Sequence, residues 1–151
     1  MGDILVTNII LTVLCIVAVT IIYKKTKLLT KGVYFSVVIF ILLSVFLGRG
    51  MRIYRIIPFW DKGLHFLSGF IAVTVAKHLY SAFGGDTKNK TLFNLFAITF
   101  AVAVAGVWEI YEFTIDSLFG MQSQNGSLQD TMWDIILGTT SGLISAIFRH
   151  K

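Results

Sequence analysis

Five long apolar runs, each cut off by a short polar or basic stretch, lay out the chain. Ile4 to Tyr23 has only Thr7, Asn8, Thr12 and Thr20 as polar interruptions, and Lys24, Lys25, Lys27 and Lys31 follow it. The second run, Val33 to Gly48, ends at Arg49, Arg52 and Arg55. Pro58, Phe59 and Trp60 then predict a turn with an interfacial aromatic anchor. The third run extends from Gly63 to Phe83, with Lys77 and His78 towards its far end, and the polar loop Gly84 to Lys90 follows. The fourth, Leu92 to Phe119, carries Glu109, Glu112 and Asp116 in its last third. A loop rich in Gln, Ser, Asn and Gly, from Gly120 to Gln129, leads to the fifth run, Thr131 to Phe148, closed by Arg149, His150 and Lys151. A helix needs roughly 20 apolar residues to cross the hydrocarbon core of a bilayer. The pattern therefore predicts an all-α, polytopic transmembrane bundle of about five helices (4–23, 33–49, 63–83, 92–118 and 131–148) in one integral membrane domain, 1–151.

Composition supports this reading. The chain is 56% hydrophobic and 14% charged, against roughly 45–50% and 25% in soluble domains. The net charge of +5 does not point to nucleic acid, because the basic residues punctuate apolar runs instead of lining one face. The first run reads as a retained span, not a cleaved signal, since its basic residues come after it. Cys15 is alone in an apolar run, which excludes a disulfide within the chain and leaves a packing role.

Five spans place the termini on opposite sides. With the first connection cytoplasmic, Lys24, Lys25, Lys27, Lys31, Lys77, Lys88, Lys90, Arg149 and Lys151 lie inside, and Arg49, Arg52, Arg55 and Lys62 lie outside. The positive-inside rule then favours an external N-terminus and a cytoplasmic C-terminus.

This topology gathers acid at one membrane face. Of the 8 acidic residues, Asp61, Glu109, Glu112, Asp116, Asp130 and Asp134 fall on the outer side, from three helices. Asp61 and His65 are one turn apart, as are Asp130 and Asp134, while Glu109, Glu112 and Asp116 share a stripe within about 60°. From the rise per residue, His65, Glu109 and Asp134 form a deep layer and Asp61, Asp116 and Asp130 a shallow one, with Glu112 between. Ionisable groups at such depth cost at least about 2.5–3.5 kcal/mol each on insertion scales, so they face the bundle interior and need partners. The outer bases fall two charges short of the outer carboxylates, a difference that one divalent cation would balance.

His65 among carboxylates from neighbouring helices resembles the ligand sets of metal sites in helix bundles, with His65, Glu109 and Asp134 as the candidate metal ligands. The wider ligand-binding set is Asp61, Lys62, His65, Glu109, Glu112, Asp116, Asp130 and Asp134, with Arg52 and Arg55 as phosphate contacts from an i, i+3, i+6 arginine series that begins at Arg49. The bland alternatives are a salt-bridged lock and ordinary snorkelling. Whether the site is catalytic stays open. An enzyme here would be a metal-assisted hydrolase of an envelope lipid or lipid-linked substrate, with Glu109, Glu112 or Asp134 as candidate catalytic residues. A cation- or proton-coupled transporter and a non-catalytic scaffold are the competing readings. Trp60 reads as a belt residue, and Trp108 and Trp133 as packing or pocket walls. Gly138 and Gly142, with Ser141 and Ser145, predict a close helix–helix contact and offer a small-residue face for self-association.

Asp61-Lys62-Gly63-Leu64-His65-Phe66 resembles the Asp-Lys-x-x-His-Phe motif of VanZ-like membrane proteins. Together with Trp108-Glu109-Ile110-Tyr111-Glu112-Phe113 and Gln129-Asp130-Thr131-Met132-Trp133-Asp134, it is most similar to the YjdF-like branch of uncharacterised inner-membrane proteins. The resemblance spans about residues 30–148. It implies a multi-pass protein of the bacterial cytoplasmic membrane, in contact with membrane lipids. VanZ-like proteins are associated with glycopeptide (teicoplanin) resistance. They typically carry Gln where this chain has Glu112, and Asn where it has Gly138.

Overall fold

A computed structural model describes residues 2–26, 28–120, 122–124 and 127–148. Lys27, Arg149, His150 and Lys151, three of which enter the sidedness argument, lie outside the described residues, as do Met121, Asn125 and Gly126 of the last loop. The described chain is helical throughout: α1 (Gly2–Lys25), α2 (Lys31–Ile41) continued by a π-helical segment (Leu42–Gly50), α3 (Ile53–Ile56), α4 (Trp60–Ala82), α5 (Lys90–Phe119) and α6 (Leu128–Phe148).

The polar interruptions do not break the apolar helices, because their side chains bond to the helix itself. Thr12 donates to the carbonyl of Asn8 at 2.6 Å and Thr20 to that of Ile16 at 2.7 Å. Neither of these two hydroxyls then presents a free donor to lipid. Thr30 caps α2 by accepting from the Val33 amide at 3.2 Å, and Asn89 caps α5 by accepting from Leu92 at 3.1 Å. Gly120, at φ 63°, ends α5 in the left-handed conformation that glycine adopts without a Cβ penalty.

Among the described residues, four stretches are long and apolar enough to cross a membrane: Leu5–Lys25, Lys31–Gly50, Lys90–Phe119 and Leu128–Phe148. The third expected span coincides with α4, which has the length but carries Asp61, Lys62, His65, Lys77 and His78 along it. Apolar side chains point outward on the apolar helices: Leu14 is 60% exposed, Val107 63% and Ile110 65%. α1 lies at the periphery against α2 and the π-helical segment.

The centre of the bundle is α4 packed on α5 and α6, and its core is made of small residues. Ala72, Val73, Ala76, Ala97, Ala101 and Ala146 form the buried cluster. A Cβ at Gly69 would collide with the Gly138 carbonyl and the Ser141 hydroxyl, and one at Gly142 would lie 2.8 Å from the Ala101 Cβ. Helices surrounded by lipid gain little from burying apolar area, so close backbone approach through Gly, Ala and Ser is what binds them. The small-residue face expected to serve a helix–helix contact serves one within the chain: Gly138, Ser141, Gly142 and Ser145 are all buried against α4 and α5. Self-association through it would have to displace those helices.

The second expected helix differs from a plain α-helix. Its last nine residues, Leu42–Gly50, have the wider π-helical turn, closed by the Met51 amide on the Phe46 carbonyl at 2.9 Å. Gly48 leaves its backbone bare for the Tyr54 ring, which a Cβ there would strike. Trp60 donates its indole N–H to the Leu43 carbonyl at 3.3 Å and pins the start of α4 to this segment. The helix then breaks, with Arg52 in the left-handed region at φ 60°. The i, i+3, i+6 arginine series therefore shares no helix: Arg49 ends the π-helical segment, Arg52 sits in the break, and Arg55 is exposed on α3.

Candidate functional site

The chemistry sits at the end of the bundle where α4 starts, α5 finishes and α6 starts. One turn of α4 presents Asp61, Lys62 and His65, and one turn of α6 presents Asp130 and Asp134. The Lys62 ammonium donates to both carboxylate oxygens of Asp134, at 2.9 and 2.8 Å, and to Asp130 at 2.5 Å. It also lies 3.9 Å from Asp61. Lys62 thereby ties α4 to α6 at the same place where it neutralises Asp134, which is only 2% exposed.

His65 occupies the middle. Its Nε2 lies 3.7 Å from Asp61 Oδ1, 3.9 Å from Glu109 Oε1 and 3.9 Å from Asp134 Oδ1. These distances exceed a hydrogen bond, yet an ion roughly 2.0–2.2 Å from each of two such atoms would span them. Ligand atoms of Asp61, His65 and Asp134 all lie within 4.8 Å of one another. The geometry thus groups Asp61, in place of Glu109, with His65 and Asp134. Glu109 stands behind them, 4% exposed. Its Oε2 accepts from the Gln124 amide at 3.3 Å, while its Oε1, the oxygen facing His65, has no hydrogen-bond partner. A buried carboxylate oxygen without a donor is costly. The donor set, one imidazole among carboxylates, suits a divalent cation of the Zn²⁺ or Mn²⁺ kind.

On the other side of Asp61 and His65 lies a cavity of about 90 Å³, lined by Phe40, Ser44, Tyr54, Asp61, Leu64, His65, Ser68, Val104, Ala105, Trp108 and Glu112. Glu112, 8% exposed, accepts from the Trp108 indole at 3.1 Å. Ser44 and Ser68 donate their hydroxyls to the carbonyls of Phe40 and His65, at 2.8 and 2.7 Å, so neither is poised as a nucleophile. Burial, reinforced by the Asp61 carboxylate, pushes the Tyr54 phenol up, and it remains a protonated O–H donor.

With the site in view, the comparisons decide the family. The profile described as "Predicted membrane protein (DUF2238)" matches residues 2–151. The chain belongs to the DUF2238 family. A Thermotoga maritima relative called "Uncharacterized protein" is 30% identical over 116 residues, which cover 75% of this chain and 55% of the relative. The chain thus spans about half the length of that relative. No solved structure matches. Family and fold together make this DUF2238 member a membrane protein with several apolar helices suited to multi-pass insertion.

The remaining expected residues fall outside the inner cluster. Asp116 accepts from the backbone amides of Ser123 and Gln124, at 2.8 and 3.0 Å, and so folds the last loop back over the bundle. Arg52 and Arg55 make no ion pair among the described residues. Trp108 borders the cavity, and Trp133 does not. Sequence reasoning passed over Gln124 and Tyr54. Gln124 sat in a stretch read only as a polar loop, and no periodicity marks a loop residue that turns inward. Tyr54 needed the π-helical turn and the break at Arg52 to bring it to the cavity.

Proposed function

We propose that this DUF2238 protein binds one divalent cation at its buried histidine–carboxylate cluster, and through it the polar head of a lipid-linked or phosphorylated envelope component. Asp61, His65 and Asp134 are the ligands of the proposed site, with Glu109 as the fourth acidic group facing it. The observation that carries this reading is the Glu109 Oε1 atom: buried, without a hydrogen-bond donor, and 3.9 Å from His65 Nε2. The imidazole faces this oxygen from beyond hydrogen-bonding distance, and a cation held between the two would satisfy it.

The membrane is proposed to be the bacterial cytoplasmic membrane, with α4 as a fifth span, the N-terminus outside and the cluster facing outward. The distribution of basic residues and the resemblance to VanZ-like and YjdF-like proteins support this. Where the protein turns over a substrate, metal-assisted hydrolysis is the chemistry the residues suit, with Glu112 on the cavity side as base. The test is thermal unfolding in detergent with and without a chelator. A cation that binds the folded state stabilises it by mass action, so chelation lowers the midpoint and added Mn²⁺ or Zn²⁺ restores it. No response to chelator or to added ions would overturn the reading.

One observation favours a second reading. Lys62 already joins Asp130 and Asp134, as a purely structural lock requires. That reading predicts that function follows the amount of folded protein in every site variant.

A further inference from the structure

The cavity beside His65 has an open side. No Cα of α2 or of the π-helical segment comes within 8 Å of a Cα of α5, although both elements flank the cavity. Both walls pack on α4, which contributes Leu64, His65 and Ser68 to the lining. Along the α5 rim Val104 is 38% and Trp108 42% exposed, and the rim continues into Val107 and Ile110 on the outward apolar surface. The cleft is therefore apolar along this rim and carries Asp61, His65 and Glu112 elsewhere in its lining.

We infer that this cleft is a side entrance from the bilayer for a phosphate-bearing lipid, whose apolar segment lies against Phe40 and Val104 and whose head reaches His65 and Asp61. A water-borne ligand has no need of an apolar approach at membrane depth, whereas an amphiphile matches both ends of the cleft. The head is assigned as phosphate because a cation held by the carboxylates presents positive charge there. In this respect the inference rests on the cation site proposed above. The Tyr54 phenol, held protonated, adds a neutral donor.

The experiment is photo-crosslinking of the whole protein in phosphatidylcholine vesicles. The vesicles carry a small fraction of phosphatidic acid with a diazirine on the acyl chain near the head. A matched diacylglycerol probe lacks the phosphate. Peptide mapping is expected to show several-fold stronger labelling of Phe40, Leu64 or Val104 with the phosphatidic acid than with the diacylglycerol, while Val107 and Ile110 are labelled equally by both. Val104→Trp, which fills the mouth of the cleft, should abolish the cleft labelling and leave Val107 and Ile110 unchanged. Should that variant fail to fold, the two-probe comparison on the wild-type protein decides alone. Cleft labelling no stronger than at Val107 and Ile110, or equal for the two probes, overturns the inference. Chelator separates it from the cation reading: phosphate-dependent labelling that survives chelation keeps the side entrance and removes the cation from it.

Discussion

The Nζ of Lys62 lies 2.8 and 2.9 Å from the two carboxylate oxygens of Asp134, a residue 2% exposed at the junction of α4 and α6. Removing one member of a buried pair leaves the other charge uncompensated, typically at a cost of about 3–5 kcal/mol. The Lys62 side chain is itself 23% exposed, so solvent relieves part of this and the lower end of that range is expected for Lys62→Met. The measurement is the thermal midpoint in detergent. A divalent cation added to Lys62→Met should recover part of the loss, since it takes over the neutralisation of Asp134 and Asp130. An unchanged midpoint would show that the ion pair contributes nothing.

Close approach of α4 and α6 depends on Gly69, where a Cβ meets the Gly138 carbonyl and the Ser141 hydroxyl. Gly69→Val must push the two helices apart, and overpacking of this kind costs typically about 1–3 kcal/mol or more. Gly106 on α5 has nothing within 4 Å of its added Cβ, so Gly106→Ala should leave yield and midpoint unchanged or slightly improved. Equal yields of folded Gly69→Val and Gly106→Ala would count against the packing described.

Gln124 donates to both the backbone carbonyl and the carboxylate of Glu109, at 3.2 and 3.3 Å. Gln124→Ala removes the donor that orients Glu109. A hydrogen bond to a charged group contributes roughly 1.5–3 kcal/mol, and the long distances place this one at or below the lower end. Cation affinity should weaken with little change in the amount of folded protein. If Gln124→Ala binds metal as the wild type does, the Gln124 bond does not orient Glu109 for the site.

The direction of insertion is tested with reporters. A fusion after Lys151 should report cytoplasmic, and an insertion near Gln124 external. The opposite pattern would turn the cluster towards the cytoplasm and remove the envelope component from the proposal.

How much of this was legible beforehand depends on the period of the signal. Helix positions follow from apolar runs, and the expected 131–148 and 92–118 helices fall within α6 and α5. The deep layer of His65, Glu109 and Asp134 was legible too, because depth along a helix is a matter of counting residues. Asp61 was expected in the shallow layer, yet His65 reaches back one turn towards it. The failures lie where the backbone leaves the α-helix. The π-helical turn at Leu42–Gly50 and the left-handed Arg52 rotate everything after them, so the arginine series computed on an ideal helix does not exist. Asp116 lies on the same stripe as Glu109, but the chain turns at Gly120 and brings backbone amides onto its carboxylate, which side-chain spacing alone cannot show.

The central claim is that the atoms around His65 Nε2 hold a cation, and metal content tests it most directly. Protein exchanged into Mn²⁺ or Zn²⁺ at about pH 7.5, then desalted, should retain roughly one ion per chain by elemental analysis. His65→Ala should retain none, and Glu109→Gln should retain less than the wild type while remaining folded. Wild-type protein with no stoichiometric metal under any of these conditions, and with the same content as His65→Ala, would contradict the account and leave the cluster a charge network that fixes α4, α5 and α6.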